Sequence, residues 1–296
     1  MHGRRAQADC RLIIVTPRMS NGILPENRSR VVFTVSLAIL ALSLLSSCAT
    51  VPITGRKQLS IIPASQMLSM SYQEYGEFLK SNKLSTDRAQ IALVKRVGGR
   101  VQGAVEKYFA QNNMSDRLKD YRWDFNLVES KEANAWCMPG GKVVVYTGIL
   151  PTTKSEEGLA VVMGHEIAHA IAEHGSERVS QGLISQMGGM ALDQALTTSP
   201  AQTKQLWMSA YGAGVQYGAL LPYSRVQESE ADHLGLIFMA IAGYDPREAV
   251  IFWERMAKSK DGKAALEFLS THPSDETRIR RIKELLPEAL SYYKKS

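Results

Sequence analysis

Residues 162–171 read VMGHEIAHAI, an apolar run into which two histidines and a glutamate are set. On a helix, His165 and His169 stand four apart and share a face, while Glu166 projects about 100° round from His165. The flanking Leu159, Val161, Val162, Met163, Ile167 and Ala168 put the pair in an apolar wall. Burying unpaired polar groups there costs about 1–3 kcal/mol each, a cost that a bound cation removes. Two neutral imidazoles suit zinc, and a carboxylate beside them can take a proton from water that the metal acidifies. His-Glu-x-x-His is the pattern of that chemistry. Residues 153–156, TKSE, have the form of a capping box, so the helix is expected from about Lys154 to His174.

A zinc of this kind needs a third protein ligand, and His174, Glu173 and acidic residues further on are the candidates. His174 follows His169 by five positions, with no glycine between them to turn the chain, and reads as a helix-end residue. Residues 221–235, LPYSRVQESEADHLG, offer a second helix with Ser224 and Gln227 placed for another capping box. On it Glu228 and Asp232 lie one turn apart. Glu228 can complete the ligand set while Asp232 accepts the free ring N–H of a ligand histidine and fixes its tautomer. Glu230 is expected to point into solvent, and His233 reads as a surface or packing histidine.

Around this centre the pattern is mostly helical. A helix is expected near Pro63–Lys80, and another begins at a Thr86 or Asp87 cap and carries Ile91, Val94, Val97, Val101, Val105 and Phe109 at helical spacing. The period then changes to two at Tyr121, Trp123, Phe125 and Leu127, which marks a strand. Ala133–Met138 and Lys142–Thr147 read as two more, joined at Pro139-Gly140-Gly141. Residues 181–221 hold six glycines among Met, Ala and Leu, consistent with a cover on the cleft, a packed helix pair or a membrane contact. Asp245 with Pro246 starts a helix to about Ala257, and Thr277–Leu286 forms a last one. The fold class is α+β, mainly helical with a small sheet.

The net charge of +6 is concentrated in residues 1–47, where six Lys/Arg face two Asp/Glu. No basic stripe interleaved with aromatics follows, so a nucleic-acid partner is not expected. The apolar stretch Val31–Leu45 is about 15 residues long, short for a bilayer span of roughly 20. It ends in Leu45-Ser46-Ser47-Cys48, which reads as a secretory signal closing on a lipobox, with residues 1–18 an extension ahead of it. Residues 1–47 would then be removed, Cys48 lipidated, residues 48–62 a tether and residues 63–296 the folded domain. Of three cysteines only Cys137 remains for the domain, so no internal disulfide is available.

HEIAH at 165–169 followed by ESEAD at 228–232 resembles the gluzincin zinc metallopeptidases of the HtpX, Oma and CAAX-endopeptidase type. NAWCMPGGKVVVYTGIL at 134–150 and STHPSDETRI at 270–279 are similar to segments of that family in the same order. With TGRKQLSIIP at 54–63, the leader looks most like its periplasmic lipoprotein members, LoiP and BepA. The resemblance implies a zincin-like domain holding one zinc through His165, His169 and Glu228, with Glu166 as general base. It also implies that His272 lies near the metal, where it either steadies the oxyanion or blocks a resting site. Arg278 matches a family arginine, though a surface salt bridge explains it equally well. The strand with Asn134, Ala135, Trp136 and Cys137 would pair with an extended substrate.

The expected activity is endoproteolysis of unfolded or misassembled cell-envelope proteins, on the periplasmic side of a bacterial outer membrane and tethered by lipid. Two alternatives stand beside it. One is a zinc-containing chaperone or assembly factor without catalysis; the other is an integral-membrane protease that keeps its leader.

Overall fold

In the computed structural model the described residues are 48–258, 268, 270, 272 and 276–294. The expected signal segment, residues 1–47, lies outside them. Strands β1 (Cys48–Thr50) and β2 (Lys57–Leu59) form an antiparallel hairpin, followed by α1 (Ala64–Ser81) and α2 (Arg88–Gln111). The tether expected over 48–62 is therefore part of the fold. Val51 is buried in the core, and Arg56 reaches Glu177 and Glu230 on later helices. Burial and paired charge hold this stretch, and a pattern of three-residue strands was too short to announce it.

Helix α2 begins at Asp87, whose carboxylate accepts from the backbone of Ala89 and Gln90 at 2.9 and 3.0 Å. Its stripe Val94, Val97, Val101, Val105 and Phe109 is buried. Strands β3 (Asp124–Val128), β4 (Ala135–Met138) and β5 (Lys142–Tyr146) make one sheet in the order β3-β5-β4, parallel between β3 and β5 and antiparallel between β4 and β5. The first strand starts three residues later than its alternation predicts. There the amides of Arg122 and Asp124 bond to Gly140 and Gly141 of the turn rather than to a ladder. Gly140 and Gly141 both have φ near +80°, which explains glycine at the tight β4–β5 connection.

The two helices that carry the motifs are α3 (Glu156–Ile171) and, after α4 (His174–Ala195) and α5 (Ala201–Val215), α6 (Leu221–Ile241). Ser155, not Thr153, caps α3 by accepting from Gly158 N at 3.0 Å, and Thr153 instead closes a single helical turn at Leu150–Thr153. No capping box opens α6 either, because it continues from a π-helical turn at Gln216–Leu220 and has no free N-terminus. Helices α3 and α6 cross with backbones in contact. A Cβ built on Gly235 would stand 3.0 Å from His165 N, and one on Gly164 would stand 3.1 Å from Gly235 O.

Helices α7 (Glu248–Lys258) and α8 (Glu276–Tyr292) close the core over α6 and α3, burying Phe252, Trp253, Met256 and Ile282. The α4–α5 pair adds little to that core. Leu183, Ile184, Met187, Met190, Leu206 and Trp207 are exposed on it, and α5 has no buried residue. Among the described residues no helix is long and apolar enough to cross a membrane.

Candidate metal centre

The α3–α6 crossing sets three of the donor residues face to face. His165 Nε2 and His169 Nε2 are 3.1 Å apart, and Glu228 reaches them with Oε2 at 3.3 Å and Oε1 at 3.2 Å. His272 adds Nδ1, 3.1 Å from His165 Nε2 and 2.9 Å from Glu228 Oε2. All four ligand atoms lie within 4.8 Å of one another. Metal–nitrogen bonds of about 2.0–2.1 Å give a tetrahedron with edges of about 3.3 Å, so three imidazoles and a carboxylate at these spacings fit zinc in chemistry and in size.

The electrostatics agree with that fit. Burial works against charging Glu228, yet His165, His169 and His272 together hold its carboxyl far below the usual range. Burial also lowers His165, but Asp232 and Glu228 outweigh it and raise the ring to about 9. Burial dominates at His169, which is pushed well below its ordinary value and is held neutral, as a ligand must be. A cation bound among these groups competes with the protons that otherwise relieve the clustered charge.

Glu166 stands apart from the donors. Its Oε1 is buried without a hydrogen-bond partner among the described residues, 3.4 Å from His272 Nε2. Burial raises its pKa against the pull of His272 and His165, giving a carboxylate with an affinity for a proton nearer neutrality.

Each α3 histidine also has a support behind it. His165 Nδ1 is 3.0 Å from Asp232 Oδ1, and Arg278 grips both Asp232 oxygens at 2.8 and 2.7 Å. The Arg278 guanidinium lies 3.4 Å over the Trp253 ring and is buried, so the surface salt bridge weighed for it does not describe it. Asp232 is held low because Arg278 and His165 overcome the opposing effect of burial.

Behind His169 the structure places His174 at a helix end, as expected, and corrects the expectation for Glu230. His174 is fully buried, with Nδ1 2.8 Å from His169 Nδ1. Glu230 is buried rather than solvated and lies 2.9 Å from His174 Nε2. The cause is Glu173, whose φ of 58° ends α3 and folds the chain back without a glycine. Sequence reasoning also missed Arg56, more than a hundred positions upstream. The HxxxxH spacing from His169 to His174 was the one available signal. His233 behaves as a surface residue and pairs with Glu288 at 2.8 Å.

The strand expected to hold substrate runs beside α3 at the edge of its sheet. Ala135 is buried, Trp136 packs edge-on against Phe78, and Asn134 Oδ1 accepts from the Ala135 amide. Burial, with Glu166 nearby, pushes the Cys137 thiol well up, the opposite of what activates a thiolate nucleophile. Cys48 lies in β1, opposite Leu59.

A profile described as Peptidase family M48 matches residues 96–286. The chain is 35% identical over 248 residues to the mitochondrial metalloendopeptidase OMA1 of Schizosaccharomyces pombe, covering 81% of this chain and 66% of that protein. It is 31% identical over 247 residues to the mitochondrial metalloendopeptidase OMA1 of Homo sapiens, covering 81% of this chain and 46% of that one. The beta-barrel assembly-enhancing protease of Escherichia coli matches at 27% over 160 residues, 52% of this chain and 32% of the other. This chain thus spans a third to two thirds of these relatives' length. The expectation of a lipid-anchored protein of the bacterial outer membrane is overturned by this comparison, since the relatives matched over 81% of the chain are mitochondrial proteins. The lipobox-like residues and the likeness of the leader with TGRKQLSIIP to periplasmic lipoproteins carried that expectation, and a short apolar run before a cysteine is a weak basis for it.

Proposed function

The chain belongs to peptidase family M48, and from that premise we propose that it is a zinc metalloendopeptidase acting on unfolded or misassembled polypeptides, in a quality-control role. The ligands are His165, His169 and Glu228. One observation carries the reading: a buried glutamate oxygen with no hydrogen-bond partner among the described residues, Glu166 Oε1, stands beside a ready-spaced donor set. A structural zinc site has no use for such a group.

Zinc held there supplies Lewis acidity toward a peptide carbonyl and toward water. Glu166 takes the proton of the attacking water at Oε1 and delivers it to the leaving amine nitrogen. Asp232, braced by Arg278, keeps the His165 proton on Nδ1 and so leaves Nε2 free for the metal. The outer edge of β4 at Asn134–Cys137 pairs with an extended peptide through backbone bonds, which makes recognition tolerant of sequence. His272 stands at the fourth corner of the donor set, where water and carbonyl must enter. We assign it the role of a resting occupant that moves aside, so His272→Ala raises the rate, whereas a helper role would have it fall.

The test is cleavage of casein by the full chain loaded with zinc, with and without chelator, beside Glu166→Gln. Chelator should abolish cleavage, and Glu166→Gln should lower it by about 10²–10⁴-fold with zinc retained. Undiminished cleavage by Glu166→Gln would sink the assignment of the base. A zinc-loaded parent and His272→Ala that both bind casein and leave it whole would move the conclusion to a zinc-containing chaperone.

A further inference from the structure

The two α3 histidines are supported in parallel but unequal ways. Behind His165 stands one carboxylate–arginine pair, Asp232 with Arg278. Behind His169 the same pair recurs one residue further out: His174, then Glu230, then Arg56. The distances are 2.8 Å from His169 Nδ1 to His174 Nδ1, 2.9 Å from His174 Nε2 to Glu230 Oε2, and 2.9 Å from Glu230 Oε2 to Arg56 Nε. Thr54 donates to the other Glu230 oxygen. Arg56 also holds Glu177 with both terminal nitrogens at 2.9 Å.

Chemistry allows one proton order along this line. If His169 Nε2 faces a cation, its proton sits on Nδ1 and donates to His174 Nδ1, which must therefore be bare. The His174 proton is then on Nε2 and donates to Glu230. That carboxylate accepts from three donors and needs none of its own, and Arg56 neutralises it. We propose that His174, Glu230 and Arg56 are positioning residues that fix the tautomer and ring orientation of His169, so that the N-terminal hairpin is part of the metal site. The proposal rests on the zinc reading above, in which His169 is a ligand.

The experiment measures Co²⁺ and Zn²⁺ affinity of the full chain by competition with a chelating dye, together with the visible spectrum of the Co²⁺ form, and needs no protease assay. His174→Leu keeps the volume and removes both ring nitrogens. His174→Gln keeps an acceptor toward His169 and a donor toward Glu230. Expected is a loss of about 10–100-fold for His174→Leu with an altered Co²⁺ spectrum, and recovery of most of it by His174→Gln. Arg56→Met, which removes the charge at the half-buried far end of the line and also releases Glu177, should lose affinity in the same direction by a smaller factor and guards against a His174 variant that fails to fold. Parental affinity in both His174→Leu and Arg56→Met would overturn the relay, as would equal losses in His174→Leu and His174→Gln, since packing alone would then explain the position. A parent chain that takes up neither ion would overturn the zinc reading itself.

Discussion

Adding a single methyl group at Gly235 tests how the metal helices are held together. Its Cβ would lie 3.0 Å from His165 N, 3.1 Å from Gly164 C and 3.1 Å from His165 Cα, all backbone atoms of the facing helix. Ordinary carbon contacts are about 3.5–4.0 Å, so α3 and α6 must separate by roughly half an ångström. Overpacking of this kind costs about 1–3 kcal/mol, and the gain in helix propensity from Gly to Ala returns up to about 1 kcal/mol. The net expectation for Gly235→Ala is a loss of up to about 2 kcal/mol. Gly103 on α2 is exposed, and a Cβ added there would meet nothing within 4 Å, so the same substitution at that position should stabilise by about 0.5–1 kcal/mol. In a thermal melt, at about 2–4 °C per kcal/mol for a domain of this size, the two variants should move in opposite directions. Separation of the helices also draws Glu228 from His165 and His169, so zinc affinity should fall in Gly235→Ala and hold in Gly103→Ala. A Gly235→Ala protein as stable as Gly103→Ala would refute the close crossing as what positions the ligands.

Asp232→Asn should weaken zinc binding by about 10–100-fold without abolishing it; unchanged affinity in a chelator competition would remove its hold on His165. Glu156 at the start of α3 is kept below the ordinary carboxylate value chiefly by Arg96, with Tyr244 adding a bond and burial opposing. Because the folded value is depressed, its contribution is present above about pH 4.5 and disappears as pH falls through the folded value. For a partly exposed pair it amounts to about 1 kcal/mol or less. Urea midpoints of the parent and Glu156→Gln should therefore differ near pH 7 and converge near pH 3, and a gap independent of pH would contradict the account. At Glu173 the left-handed backbone suits glycine, so Glu173→Gly should stay within about 1 kcal/mol of the parent. Glu173→Val should lose more than about 1 kcal/mol and weaken zinc binding through His174, and equal melting of the two would refute the strain argument.

What could be read from the sequence was what repeats locally. His165 and His169 share a face because 3.6 residues make a turn, and Glu228 and Asp232 follow by the same rule. The valines of α2 and the Pro139-Gly140-Gly141 turn were legible for equally local reasons. The fate of His174 was not, because it depends on one backbone conformation at Glu173 that no residue preference announces; glutamate is a poor candidate for it. Glu230 was misread because helical geometry indicates a direction but not what waits there, and Arg56 waits there from a hairpin whose strands are three residues long. Ser155 displaced Thr153 as the cap for a similar reason, since Thr153 was already engaged by the preceding turn.

The hydrogen bond from Gln227 to Glu177, 2.8 Å long, joins the first turn of α4 to α6 across fifty positions of chain. Apart from Ser180, which is buried and accepts from the Ile61 amide at 3.0 Å, the chain between them departs and returns close to this bond. Such an excursion is nearly free to change length, because each doubling of a closed loop adds only about 0.6 kcal/mol. The exposed part of the helix pair beyond Ser180 is thus the part of the fold whose length can change while the residues on either side keep their places.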